Sequence, residues 1–400
     1  MSKILGIGNC VLDIILSIND YPAEDSEVRA NKKTLQVGGN VANTLYALSQ
    51  LKHEVAICTT FATDDQAKWI TKTLQERGIN TEFTQKFIQG ATPTSYINLS
   101  QSNGSRTIVH YRDLPEVSFD FFAKIEIEDF DWLHFEGRNL EHLPGMLNIA
   151  KTFLTHQPIS LEVEKDRIGI DAILTQANVI FFSHHFAKQR GFKDGAECLK
   201  AMRQAAPQAH LICTWGENGA WFSSPNQTVN HHPAQQIKVI DSLGAGDVFN
   251  AGVINALAAG KALAYAVKDG SDLAARKCQQ IGLDNLLAPL AVKKPIANFK
   301  QLSNAKTLVV KALGQKHGVV LIKYEDEVRA YVNNCPHQDV PLTEAYKIDV
   351  NPFEKTMKCS VHDAFFKIDD GECVEGPCLN DYLQSLEVTL EENGDIYLND

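Results

Sequence analysis

The chain has no apolar run approaching the roughly 18 residues that a membrane-crossing helix needs, no internal repeat and no low-complexity segment. Nor does it open as a secretion signal. Met1-Ser2-Lys3-Ile4-Leu5-Gly6-Ile7-Gly8 turns glycine-rich and strand-like after one lysine instead of continuing as an uninterrupted apolar segment. The expectation is a cytoplasmic protein with no membrane partner. Disulfide-framework spacing is also missing: Cys10, Cys58, Cys198, Cys213 and Cys278 are scattered through apolar stretches, as reduced core thiols are. Positive charge is scarce, with 38 Lys+Arg against 49 Asp+Glu and a net −11. That balance disfavours nucleic acid, whose phosphates call for a cationic face. The deficit is uneven, because residues 307–400 hold 8 Lys+Arg against 18 Asp+Glu while the remainder holds 30 against 31. A one-signed segment of this kind serves solubility or steers a basic partner toward it.

What is present is enough apolar residue, 44% of 400, for two folded units, one large and one small. The divisions expected are a first domain over 1–290, a linker over 291–306 around the lysines and Pro295, and a second domain over 307–400. In the first, strand-like runs (Val55 to Cys58, Trp132 to Phe135, Val179 to Phe182, Leu211 to Thr214) alternate with helical stretches such as Ala42 to Leu51 and Gln66 to Arg77. Such alternation predicts a mostly parallel sheet with helices on both faces. Between Thr92 and Arg112 alternating residues around Asn103-Gly104 predict a hairpin, and so a small β lid. The second domain carries short β-type segments: Gly318 to Lys323, Glu327 to Val332, Leu386 to Leu390 and Ile396 to Leu398.

Two glycine motifs carry chemistry. In Asp241-Ser242-Leu243-Gly244-Ala245-Gly246-Asp247 two glycines precede a carboxylate and a helical run from Val248. Backbone N–H groups at Ala245, Gly246 and Asp247 can there meet a transferring phosphoryl group, and Asp247 can accept the proton of an attacking hydroxyl. Plain helix capping is the alternative for this motif alone. Gly38-Gly39-Asn40-Val41-Ala42-Asn43 opens a second helix and sets two amides, donors and acceptors both, three residues apart as sugar hydroxyls require. Asp13, read at the C-terminal end of an apolar strand from Ile7 to Leu12, takes a place that commonly faces the ligand crevice of an α/β sheet.

With both motifs, and with Tyr21 to Glu27, Gly104 to Ile108, Glu136 to Asn139 and Leu161 to Lys165, residues 1 to about 290 resemble the ribokinase and phosphofructokinase-B superfamily of sugar kinases, most closely its ketohexokinase group. The resemblance implies a ribokinase-like, three-layer, doubly wound α/β fold with a β lid, and a homodimer formed through that lid. It implies that Asp13, Gly39, Asn40, Asn43 and Arg106 bind the sugar and that Asp247 is the catalytic base. Thr214, Gly216 and Gly219 then match the nucleotide loop, and Gly244, Ala245 and Gly246 the anion hole. ATP, Mg²⁺ and K⁺ are the cofactors implied, and a primary hydroxyl of a ketohexose such as fructose the acceptor. The second motif carries Ser242 where threonine is usual, and Ser183-His184-His185-Phe186 stands where many relatives have Asn-x-x-Glu. The adjacent His184 and His185 are read as structural, since neighbours in a strand face opposite ways.

Near the C-terminus, Cys335-Pro336-His337 and Cys359-Ser360-Val361-His362 give one thiolate and one imidazole from each of two loops, separated by 21 residues. Zn²⁺ could take two cysteines and two histidines. The pairing, however, is that of a Rieske [2Fe-2S] centre, in which one iron is held by two thiolates and the other by two imidazoles. Residues from about 308 to 400 resemble Rieske ferredoxins, with Gly371-Glu-Cys-Val-Glu-Gly-Pro377 as the loop that covers the cluster, and the acidic segment would then meet a basic electron-transfer partner. Val340, Val361, Ala364 and Phe366 stand where high-potential relatives have cysteines and hydroxyl residues, so a lower-potential cluster is expected. Cys373 and Cys378 read as packing residues, with a local disulfide as the alternative. The rival reading of the whole chain is a redox protein or sensor whose kinase fold is a ligand-binding regulatory unit.

Overall fold

The computed structural model describes all residues except 103–104, 289–294, 305, 312–315, 325–326, 339, 344–346, 362 and 400. Two compact units divide it, Met1–Leu290 and Ala291–Asp400.

The first unit runs β1 (Lys3–Ile7), β2 (Val11–Ile18), β3 (Lys32–Gly38), α1 (Asn40–Gln50), β4 (Glu54–Phe61), α2 (Asp65–Glu76), β5 (Ile79–Asn80), β6 (Thr84–Lys86), β7 (Thr94–Ser100), β8 (Arg106–Tyr111), α3 (Phe119–Phe122), β9 (Trp132–Glu136), α4 (Leu143–Phe153), β10 (Ile159–Val163), β11 (Val179–Phe182), α5 (His184–Gln189), α6 (Gly195–Met202), β12 (His210–Thr214), β13 (Ala220–Ser223), β14 (Asn230–His232), α7 (Ala245–Ala258) and α8 (Leu263–Cys278). The main sheet has the order β14-β13-β12-β11-β10-β9-β1-β4-β5, with β6 also paired to β4. It is parallel from β4 across to β12, and β13 and β14 are added antiparallel. Alternate strand residues feed two cores. Leu5, Leu133 and Leu161 pack with α4 and α6 on one face, and Ile4, Trp132 and Phe181 with α1, α2, α7 and α8 on the other. Helices on both faces of a mostly parallel sheet are the arrangement that the alternation of strand-like and helical stretches predicts. In α1, Val41, Leu45 and Leu48 are buried at helical spacing.

β3-β2-β7-β8 make a separate four-stranded sheet, the lid. β7 and β8 form the expected hairpin, whose Asn103-Gly104 tip lies outside the described residues. One expectation needs correcting. No single strand runs from Ile7 to Leu12: β1 ends at Ile7, and Asp13 is the third residue of β2, a lid strand.

Helices α7 and α8 touch backbone to backbone. A Cβ on Gly252 would come 2.7 Å from Gly270 Cα, so any larger residue there would push the helices apart.

In the second unit β15 (Ala297–Asn298), β16 (Lys306–Val310), β17 (Val319–Tyr324), β18 (Glu327–Val332), β19 (Asp349–Asn351), β20 (Thr356–Lys358), β21 (Phe365–Lys367), β22 (Cys373–Glu375), β23 (Ser385–Leu386), β24 (Val388–Leu390) and β25 (Asp395–Leu398) build three small antiparallel sheets. Their orders are β16-β17-β18-β23, β19-β20-β21-β22 and β15-β25-β24. Within the segment read as linker, Ala297 and Leu302 are buried with Ile396, and Ala297 pairs with it. The run Leu386 to Leu390 is two strands, because the chain changes sheet at Glu387: Leu386 pairs with β18, and Val388 begins the pairing with β25. Among the described residues no helix is long and apolar enough to cross a membrane.

Candidate active site and cluster site

Asp247 sits in the first turn of α7 and is almost fully buried. Gly244 caps that helix at φ 76°, the left-handed region glycine tolerates. Asn43 of the other glycine motif donates from Nδ2 to Asp247 Oδ2 at 2.8 Å, and Thr44 Oγ1 donates to Asp247 O at 3.2 Å. Helices α1 and α7 thus meet with their N-termini at one point. α1 can start there because Gly39 adopts φ 111°, and a Cβ at that position would stand 2.2 Å from Asn9 O. Asn40, one residue on, donates from Nδ2 to Glu162 Oε1 at 3.2 Å.

Glu162 and Glu136 were quoted in the sequence only as parts of wider stretches, and their roles were missed. They face each other in register at the C-terminal ends of β10 and β9. Both strands are buried along their whole length. A glutamate ending an otherwise buried parallel strand is the signal that could have found them. Asn9 N donates to Glu136 Oε2 at 2.9 Å, and Arg138 lies 3.5 Å from its Oε1. The Oε2 of Glu162 is buried without a hydrogen-bond partner.

These carboxylates repel one another in a dry setting, so their proton affinities rise. Burial first, then Glu136 and Glu164, push Asp247 up to about 8 against the pull of the Asn43 bond. Glu162 is raised well above the carboxylate range by burial and by Asp247. Asp13 is pushed up to about 6 by burial, partly offset by a bond from Ser95. Gly38 makes room for it, since a Cβ on Gly38 would overlap the Asp13 carboxylate.

The other expected residues distribute as follows. Ala245 N donates to Ser242 O at 3.2 Å, so that amide is engaged within the loop. Gly246 and Asp247 occupy the helix positions whose N–H groups have no carbonyl one turn back. Gly246 and Gly216 have open space where a Cβ would be, room for a ligand to approach the backbone. Thr214 ends β12, and Gly219, at φ 83°, passes against His232 O. Arg106 stands exposed at the start of β8. His184 and His185 lie exposed in the first turn of α5, capped by Ser183, and not in a strand as expected.

In the second unit the two cysteine loops close alike: Cys335 N donates to Val340 O and Cys359 N to Ala364 O, both at 2.8 Å and both five residues on. Ser360 N donates to Leu342 O at 3.0 Å and ties the loops together. Both thiols are buried and interact with each other, while His337 is exposed. Burial raises the Cys335 thiol, and the His337 backbone amide counters by bonding its sulfur. Gly376, at φ 113°, lays the Gly376-Pro377 loop on Ala364, where a Cβ would come 2.6 Å from Ala364 Cα. Inner thiols, an outer imidazole, an amide on sulfur and a covering loop suit a [2Fe-2S] cluster. His362, the fourth expected ligand, lies outside the described residues. Among the described residues no group of three or more His, Cys, Asp and Glu is arranged to hold a metal ion. Cys373 and Cys378 are free thiols with their sulfurs 3.3 Å apart.

The family described as pfkB family carbohydrate kinase matches residues 1–289, and that described as Rieske [2Fe-2S] domain matches residues 292–388. Ketohexokinase of Mus musculus is 34% identical over 294 residues, 71% of this chain and 99% of its own length. ATP-dependent 6-phosphofructokinase of Thermoanaerobacterium thermosaccharolyticum is 24% identical, covering 75% of this chain and 95% of that protein. The ribokinase of Arabidopsis thaliana complexed with ribose and ATP superposes with a TM-score of 0.61 at 16% identity, over 70% of this chain and 94% of that one. The ribokinase of Thermotoga maritima gives 0.57 at 16% identity, over 71% and 95%.

Proposed function

Since this chain belongs to the pfkB family of carbohydrate kinases and carries a Rieske [2Fe-2S] domain, we propose that it transfers the γ-phosphoryl group of ATP to the C1 hydroxyl of a ketohexose, fructose being the first candidate. The observation that carries this reading is the buried Asp247 carboxylate at the N-terminus of α7, held by Asn43 at 2.8 Å. A carboxylate raised to about 8 is a stronger base than an ordinary one and suits proton removal near neutral pH. Asn40 and Asn43, with Asp13 on the lid, offer the sugar both donors and acceptors. The Gly246 and Asp247 amides receive the phosphoryl group as its charge develops. Thr214, Gly216 and Gly219 hold the nucleotide, and Arg106 reaches the site as the lid closes. Mg²⁺ supplies charge neutralisation on the nucleotide phosphates. The orphaned Oε2 of Glu162 is an acceptor that such an ion, or a proton, satisfies. K⁺ is proposed as an activator on family resemblance alone.

Cys335, His337, Cys359 and His362 are proposed to hold the cluster, which supplies one-electron transfer to a separate partner, and the acidic surface favours a basic one. A homodimer through the lid is supported by the exposed row Leu35, Tyr96 and Val109 across three of its strands. The test is fructose-dependent ADP release by anaerobically purified protein with the cluster oxidised and then reduced. Turnover in either state supports the kinase reading, and a rate that differs between states couples the two units. No turnover with any sugar would contradict it and favour the redox-protein reading.

A further inference from the structure

Lys277 is the penultimate residue of α8, and its side chain has no exposed surface. In the sequence it forms, with Arg276, a pair of last-turn cations of the kind that usually complement a helix dipole from solvent. A lysine buried this deeply is costly unless its charge is met. Here Nζ lies 2.7 Å from Asp241 Oδ2 and 2.8 Å from Asp241 O.

Asp241 is the first residue of the loop that leads to Asp247. Its carboxylate also accepts from Leu243 N at 2.8 Å and from Gly282 N at 3.0 Å. One side chain therefore joins the last turn of α8, the turn at Gly282 and the loop just before Gly244. The knot backs onto the helix start, since a Cβ on Gly244 would come 3.3 Å from Leu283 Cδ2. Burial pushes Asp241 up, but the bonds from Lys277, Leu243 and Gly282 outweigh it and hold the carboxyl below the usual range. Neither glycine motif contains Lys277, and proton transfer does not use it.

We propose that Lys277 is a positioning residue for phosphoryl transfer, its ammonium a cation built into the base of the phosphate-binding loop. It fixes residues 241–246 so that the Gly246 and Asp247 amides stay aimed at the phosphoryl group. The inference rests on the assignment of this loop to phosphoryl transfer.

The test uses the full chain. Lys277→Met keeps most of the stem and removes the charge. It should lower kcat about 10- to 100-fold while the sugar KM stays within about twofold, since the loss falls on the contacts to the nucleotide phosphates and not on sugar contacts. Lys277→Ala opens a space that ammonium or methylammonium can enter. Either should restore kcat several-fold and raise Tm, whereas tetramethylammonium, equally charged but without N–H donors, should do neither. Asp241→Asn, which keeps a hydrogen-bonding side chain of the same size, should show the same kcat loss without amine rescue, and it serves if the lysine variants do not fold.

Unchanged kcat in Lys277→Met, or an Ala variant that ammonium and tetramethylammonium affect alike, would overturn the proposal and leave a structural role only. If the wild type turns over no sugar, the kinase reading fails separately. The loop claim is then read from ATP affinity by calorimetry, where Lys277→Met binding ATP as the wild type does contradicts it and weaker binding supports it.

Discussion

Asp247→Asn should switch the enzyme off and make it more stable at the same time. The replacement keeps the size of the side chain and an oxygen for Asn43, but it can neither ionise nor accept a proton. Removal of a general base costs typically 10²- to 10⁴-fold, so kcat should fall at least about a hundredfold while ATP affinity is retained. The stability change follows from burial. The Asp247 carboxyl rises from 3.8 to about 8 in the folded protein, so between those values the folded chain holds a proton that the unfolded chain has released. The associated stability is complete below about pH 4 and is lost as pH rises through 8. Roughly four pK units correspond to about 5 kcal/mol at full linkage. Glu162 beside it competes for the same proton, and a gain of about 2–4 kcal/mol is therefore expected for Asp247→Asn at pH 9, with near equality to wild type only at about pH 4. ADP-release kinetics and thermal melts at the two pH values read both effects. A variant turning over within tenfold of wild type, or one with no stability gain at pH 9, would refute the reasoning.

Further outcomes are expected at Asp13, at Gly39 and at the cluster loops. The sugar KM should rise as pH falls below about 6, where Asp13 takes up its proton. Asp13→Asn should raise that KM about 10- to 100-fold and flatten its acid limb, and a KM that ignores both changes would remove Asp13 from the sugar site. Gly39→Ala must fit a Cβ 2.2 Å from Asn9 O at φ 111°, so it should destabilise the first unit by about 2–4 kcal/mol in urea melts, an unshifted midpoint being the contrary result. Cys359→Ser should abolish the visible absorption and electron-paramagnetic signal of the cluster. The wild-type midpoint potential should fall in the lower part of the roughly −150 to +300 mV Rieske range, because Ala364 and Phe366 bring no hydroxyl to the sulfurs, and a value near the top would refute this.

Local signals were legible and long-range ones were not. The alternation of strand and helix, the hairpin around residues 103–104 and the two glycine motifs could be read because each depends on near neighbours. Asn40, Asn43 and Asp247 could each be singled out, but not the bond that joins Asn43 to Asp247 across 204 residues, nor Glu162, which Asn40 meets across 122. Asp13 stands out as a carboxylate after an apolar run, yet the turn after Ile7 that puts it on the lid was hidden, because Gly8-Asn9-Cys10 reads as either strand or bend. Arg276 and Lys277 look equivalent in the sequence, and only the folded chain brings Asp241, 36 residues away, onto the fully buried Lys277. The Ala297 pairing with Ile396 joins residues 99 positions apart, so a proline- and lysine-rich segment gave no sign of belonging to a sheet.

The measurement that tests the central claim most directly is the ³¹P and ¹³C spectrum of the product made from fructose and ATP. Phosphorus coupled to C1, formed by the wild type and missing with Asp247→Asn, is the expected result. Phosphorus on C6, or no phosphorylated sugar at all, would contradict the account.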